Sequence, residues 1–199
     1  MTNNLLNQNY WDTRYQQNQL GWDLGMVSPP LKAYFDQLED KSLKILIPGG
    51  GNSYEAEYLM QQGFTEVTVV DVSGVVIANL QKRFSDYLDR GLTLVHQDFF
   101  VHQGQYDLIV EQTFFCALDP SLRLDYVRHM DTLLSKKGKL VGVLFDRDFV
   151  GGPPFGGQQE QYRALMSATL DVETMERCYN SVPPRMGSEV FFIAQKKQA

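Results

Sequence analysis

Cysteine is scarce in this chain. Cys116 and Cys178 are the only two in 199 residues, so no disulfide framework is implied. The three histidines, His96, His102 and His129, are scattered without ligand spacing, and no metal site is expected. Basic residues are outnumbered, 18 Lys and Arg against 24 Asp and Glu, for a net charge of -6. Phosphate binding needs a basic surface, so nucleic acid is excluded as the main partner. Lys136, Lys137, Lys196 and Lys197 read as solvated helix and strand ends. No apolar run reaches the roughly 20 residues of a membrane span, and MTNNLLNQNYW has neither the basic nor the apolar part of a signal peptide. A cytoplasmic protein without a membrane partner is expected. Neither internal repeats nor low-complexity tracts occur. The composition, 43% hydrophobic and 21% charged, is that of an ordinary globular chain. Its length suits one domain, 1–199, with a cap segment over 1–40 ahead of a core over 41–199, as a monomer or weak homo-oligomer.

What is present centres on LKILIPGGGNSYEAEYLMQQGFTEVTVVDVS, residues 43–73. The apolar run Leu43 to Ile47 reads as a strand that ends in Pro48 and the glycines Gly49, Gly50 and Gly51. Tyr54 to Gln62 reads as a helix, and Val67 to Val70 as a second strand ending at Asp71. Strand, glycine turn, helix, strand and carboxylate make the first half of a nucleotide-binding α/β sheet. Glycine lets the backbone approach a ligand where a Cβ would clash. Asp71 lies 22 residues after Gly49, where it can accept hydrogen bonds from both hydroxyls of a ribose. The plain alternative is an ordinary βαβ unit with a glycine-rich turn. A dinucleotide site wants a third glycine for close helix–strand packing, and Tyr54 stands there instead. A phosphate loop wants a lysine, which is absent. What remains is a turn that meets an amino-acid moiety, as in S-adenosylmethionine (SAM) methyltransferases.

Ahead of the sheet, Asn9 to Leu24 is dense in aromatics: Tyr10, Trp11, Tyr15 and Trp22. Trp11 and Tyr15 are four apart and share a face if helical. They either cap the core or close over a cofactor, where a sulfonium cation would gain from ring faces. Ser28-Pro29-Pro30 opens a helix over Leu31 to Leu38. After Asp71, Val75 to Leu88 reads as a crossover helix and Leu92 to Val95 as the third strand. Asp98 after it either caps a turn or takes an adenine amine, with the Phe99 N–H beside it. Tyr106 to Val110 is the fourth strand. Glu111, Gln112 and Phe114 follow at its carboxyl end, where open α/β sheets bind ligands. Leu122 to Leu134 is a helix with Arg123 in its first turn, a cation opposing the macrodipole or simply a surface arginine. Lys139 to Phe145 is the fifth strand, with Gly138 before it. DRDFVGGPPFGG, residues 146–157, is a connection or a glycine-hinged lid. Gln158 to Ser167 reads as a helix. Ala168 to Tyr179 and Glu189 to Lys196 close the sheet.

These segments resemble the thiopurine S-methyltransferase family, closest to its branch of halide and thiol methyltransferases. The resemblance runs over nearly the whole chain: YWDTRY and GWDLG, IPGGG, VVDVS, QDFF, EQTFFCALDP and GGPPFGG. It implies a class I methyltransferase fold, an α/β Rossmann-like sheet of about seven strands, mostly parallel with one antiparallel edge strand and helices on both faces. It implies SAM as cofactor, S-adenosylhomocysteine as product and no metal. By position, Trp11, Tyr15 and Trp22 would cover SAM; Tyr15 stands where a tryptophan is usual. Gly49, with Gly51, meets the methionine part. Asp71 holds the ribose, Asp98 and Phe99 the adenine, and Val72 belongs to the same cofactor site. Ser53 replaces a glycine late in the turn, which should tighten the loop without abolishing binding. Gln112 falls near the methyl group, where a tyrosine is common, and serves both cofactor and acceptor. Arg123 matches an arginine near the acceptor, and Phe114 and Phe155 join it there.

The implied reaction is in-line displacement at the sulfonium methyl by a small soft nucleophile: a thiol or thiopurine-like sulfur, a halide, thiocyanate or bisulfide. Positioning and desolvation can carry such a step. A thiol would need help to become the thiolate, with Glu111 or Asp119 as base or Arg123 as electrostatic partner. Two other readings stay open: a SAM-binding module without catalysis, and an NAD-dependent oxidoreductase on the same βαβ core.

Overall fold

A computed structural model describes residues 6–197. Seven strands form one sheet in the order β3-β2-β1-β4-β5-β7-β6. The central four, β1 (Ile45–Pro48), β2 (Val67–Asp71), β3 (Leu92–His96) and β4 (Tyr106–Gln112), are mutually parallel, and β5 (Leu134–Phe145) joins them in parallel. The one antiparallel strand, β7 (Glu189–Lys196), stands at this side of the sheet and is inserted between β5 and β6 (Leu170–Arg177). As expected, helices cover both faces: α1 (Gln8–Gln16), α2 (Pro29–Phe35), α3 (Tyr54–Gln61), α4 (Gly74–Arg83), α5 (Ser85–Leu88), α6 (Arg123–Leu133) and α7 (Gln159–Met166).

The central strands are apolar on both sides because both faces are covered. Ile45, Leu46 and Ile47 are each at most 3% exposed. Period-two alternation sorts them: Ile45, Ile47, Val67, Val69, Leu108 and Val110 enter one core with α2, α3 and α4. Leu46, Val70 and Ile109 enter the other with Tyr126, Val127 and Met130 of α6 and Tyr162 and Met166 of α7.

Three elements differ from the sequence expectation. The helix expected over Val75 to Leu88 breaks at Phe84, whose ring is buried and whose backbone leaves helical geometry, giving α4 and α5. Leu122 lies in a 3₁₀ turn, Pro120–Leu122, ahead of α6. The fifth strand begins at Leu134 rather than Lys139, and its register jumps from the Tyr106–Leu134 pair to the Leu108–Lys139 pair. Gly138 sits in that irregularity, where a Cβ would press on the Tyr106 carbonyl. Lys196 does not end in solvent, because its Nζ donates to the carbonyls of Asp131 and Leu134. Among the described residues no helix is long and apolar enough to cross a membrane.

Candidate cofactor and acceptor site

Parallel strands end together, and their carboxyl ends here open into one cavity of about 240 Å³. The turn after β1 is its floor. Gly49 (φ +57°) and Gly51 (φ +51°) adopt left-handed backbone, and a Cβ on Gly49 would overlap the Phe114 ring. The Gly49 N–H donates to Val70 O at 2.7 Å, tying the turn to β2. Ser53, the last residue before α3, is itself left-handed (φ 51°) and buried. Its hydroxyl donates to Gly50 O at 3.0 Å. A serine thus occupies a conformation glycine adopts without strain.

Asp71 ends β2 with its carboxylate buried. Gly51 N–H donates to one oxygen at 3.0 Å and Ser73 N–H to the other at 2.8 Å. A carboxylate accepts about four hydrogen bonds, so lone pairs remain toward the cavity. Burial pushes its carboxyl up, against those two backbone donors. Val72 lines the cavity beside it. At the end of β3, Asp98 caps a turn and also lines the cavity. One oxygen caps the 3₁₀ turn Phe99–Val101, accepting from Phe100 N–H at 2.9 Å, and the exposed carboxylate lines the cavity. Phe99, first in that turn, has no acceptor within it for its N–H.

The aromatic prefix lies over this end. Trp11, Tyr15 and Trp22 all line the cavity, with Trp22 edge-on to Trp11 at 5.6 Å and to Tyr15 at 6.0 Å. Tyr15 reaches Gly51, where an added Cβ would meet its hydroxyl at 2.5 Å. Three anchors that the sequence pattern did not reveal hold the prefix. Asp12 on α1 accepts from the Ser73 hydroxyl and, at 3.2 Å, from Val75 N–H at the start of α4. Burial raises the Asp12 carboxyl, but those donors outweigh it and leave it below the usual range. At the other end, Arg185 donates to Trp22 O at 2.6 Å and pairs with Glu189 at 3.3 Å, both side chains buried. Asp23 accepts from Gly25 N–H at 2.7 Å and from the amide of Asn52, closing GWDLG onto the glycine turn.

The β4 side of the cavity holds Gln112, Thr113, Phe114 and Cys116. Thr113 is left-handed (φ 59°), a second non-glycine residue in strained backbone at this site. The Gln112 Oε1 is buried without a partner.

Glu111, Arg123 and Phe155 are not brought into the cavity. Glu111 points the other way, into the core. It accepts from Phe114 N–H and Phe115 N–H at 2.8 and 2.9 Å and from the Tyr126 hydroxyl at 2.7 Å. Burial pushes its carboxyl up to about 7 despite those donors. Arg123 donates to the carbonyls of Phe155 and Gly156 at 3.2 and 2.8 Å and lies 4.8 Å over the Phe115 ring. Its guanidinium fastens the 146–157 loop, whose Pro153 and Pro154 line the cavity while Phe155 does not. Neither Glu111 nor Arg123 lines the cavity: Glu111 is held by two backbone N–H groups and the Tyr126 hydroxyl, and Arg123 by two carbonyls, with its Nε buried without a partner. Among the described residues no cluster of His, Cys, Asp and Glu could hold a metal.

The strand order, the glycine turn and the strand-end acids define a class I, SAM-dependent methyltransferase. The family model described as thiopurine S-methyltransferase matches residues 6–197, and the chain belongs to that family. It is 28% identical over 185 residues to a probable thiol methyltransferase 2 of Arabidopsis thaliana, covering 90% of this chain and 81% of that protein. It is 26% identical over 189 residues to a thiopurine S-methyltransferase of Acinetobacter baylyi, covering 84% and 87%. Among solved structures, the magnesium protoporphyrin IX methyltransferase of Synechocystis with bound SAM superposes with a TM-score of 0.72 at 14% identity, covering 96% of this chain and 95% of that one. At that identity the likeness is one of fold.

Proposed function

We propose that this chain binds SAM in the strand-end cavity and transfers its methyl group to a small sulfur acceptor. The observation that carries the reading is that the glycine turn, Asp71, Asp98 with Phe99, and the three prefix aromatics all open into one cavity. The residues fit the cofactor: backbone without Cβ at Gly49 and Gly51, acids at two strand ends, and an orphaned Gln112 oxygen beside them. When bound, SAM supplies a methyl group activated on a sulfonium. Asp71 accepts from the ribose hydroxyls, while Asp98 and the Phe99 N–H read the adenine edge. Trp11, Tyr15 and Trp22 exclude water and present ring faces to the cation. Gln112 accepts from a donor on cofactor or acceptor. Glu111 acts by positioning: its bonds to Phe114 and Phe115 fix the wall between the two ligands. With Glu111 turned into the core, Asp119 is the carboxylate left on the β4 side of the cavity, and proximity and desolvation supply most of the rate.

One domain, a monomeric or weakly associating state, a cytoplasmic place and no nucleic-acid partner go with this reading. Against the oxidoreductase alternative, Tyr54 keeps its ring under Arg83 where a dinucleotide turn needs a third glycine. A binding module without catalysis is separated by product formation.

Calorimetric titration of SAM into wild type and Asp71→Ala, with NADH as control, tests it. Binding should weaken by about 10- to 100-fold in the variant, as for a lost hydrogen bond to a charged group. No SAM binding by folded wild type would overturn the reading.

A further inference from the structure

The cavity has no cationic side chain. All 18 Lys and Arg fall within the described residues, and none lines it, nor does any histidine. Three arginines on neighbouring segments are engaged elsewhere: Arg123 by the Phe155 and Gly156 carbonyls, Arg185 by Glu189 and Trp22, and Arg83 by Glu57 and the Asn52 carbonyl. Five acids do line it: Asp23, Glu55, Asp71, Asp98 and Asp119. Strand order divides them. β1, β2 and β3 carry the turn and acids that hold the cofactor, so the acceptor is left the side beyond β4. There the walls are Phe114, Leu118, Leu122, Pro153 and Pro154, and the charged group is Asp119. Its one oxygen caps the turn before α6, accepting from Ser121 N–H at 2.8 Å and its hydroxyl at 2.7 Å. Those bonds hold its carboxyl below the usual range, so it is ionised at neutral pH.

We propose that the site selects its acceptor by charge, taking an uncharged thiol on an apolar body and discriminating against inorganic anions, with Asp119 as the specificity-determining residue. This rests on the methyl-transfer reading above. The thiol enters protonated. As its sulfur bonds to the methyl carbon, the carbon–sulfonium bond breaks, its electron pair stays on the departing thioether, and the S–H proton leaves to water at the exposed mouth. An anion such as iodide or thiocyanate brings no proton but must enter against the acids, with no cation to receive it.

The first test needs no cofactor, because both tryptophans, Trp11 and Trp22, line the cavity. Relative to free tryptophan, iodide should quench their fluorescence less than neutral acrylamide does; equal or stronger quenching by iodide would overturn the proposal. The second compares S-adenosylhomocysteine release with an alkanethiol, iodide, thiocyanate and bisulfide in wild type and Asp119→Asn, which keeps the cap. The alkanethiol should have the highest kcat/KM in wild type. The anion-to-thiol ratio should rise about 3- to 10-fold in the variant, the effect of one charge removed from the solvent-exposed rim where Asp119 stands. A wild type that prefers an anion, or an unchanged ratio, would sink the charge filter while leaving methyl transfer standing. SAM binding without release from any acceptor would instead remove the transfer reading and the filter with it.

Discussion

The hydroxyl of Tyr126 on α6 donates to the carboxylate of Glu111 at 2.7 Å, across a region in which both side chains are fully buried. The other Glu111 oxygen receives the N–H groups of Phe114 and Phe115, so one carboxylate fastens the end of β4 to α6. No cation joins them, and burial therefore raises the Glu111 carboxyl to about 7. Between the unfolded value near 4.5 and about 7 the native state holds a proton that the unfolded chain has lost. Stability should accordingly fall as pH rises through this window, by an amount on the order of 3 kcal/mol, and level off above it. Glu111→Gln keeps a carbonyl for the two N–H groups and removes the titration. Urea unfolding at pH 5 and pH 8 should show a clear loss for wild type and a flatter profile for the variant.

Arg123 is a fastener of the 146–157 loop. Arg123→Ala should leave SAM affinity within about twofold and lower stability by about 1–3 kcal/mol, the cost of two charge-assisted bonds. The same variant should speed proteolytic cleavage within the loop and raise acceptor KM. A lysine cannot reproduce the reach to two carbonyls with stacking on Phe115, so Arg123→Lys should resemble the alanine variant.

Arg185 and Glu189 form a buried pair under the Trp22 segment. Arg185→Met leaves Glu189 uncompensated and should cost about 3–5 kcal/mol, with a red shift of tryptophan emission as Trp22 loosens. The double variant Arg185→Met with Glu189→Met should recover part of that loss. A double-mutant cycle in urea measures it.

Ser53 tests the turn. Ser53→Gly exchanges strain relief against a lost hydroxyl bond and should stay within about 1 kcal/mol of wild type with SAM binding retained. Ser53→Val has a branched Cβ in left-handed backbone and should lose about 2 kcal/mol or more by thermal unfolding.

Much of this architecture follows from local sequence. The apolar runs ending at Pro48, Asp71 and Gln112 alternate between two cores whatever packs on them, because strand side chains alternate. Gly49 and Gly51 mark a turn because left-handed backbone excludes most other residues, and Asp98 announces a cap because a short acid satisfies the N–H of Phe100 locally. Their convergence at one cavity follows from parallel strands sharing one end. Tertiary structure alone decided which way side chains face and what they spend their hydrogen bonds on. Glu111 and Gln112 are neighbours on β4, so the pleat sends one into the core and the other to the cavity. Arg123 sits where a helix start meets the 146–157 loop, 32 residues away in sequence, and that distant backbone takes its charge. The Arg185 clasp on Trp22 spans 163 residues, a contact no local pattern encodes. The lack of a cationic side chain in the cavity has the same origin, since it depends on which cations the fold engages elsewhere.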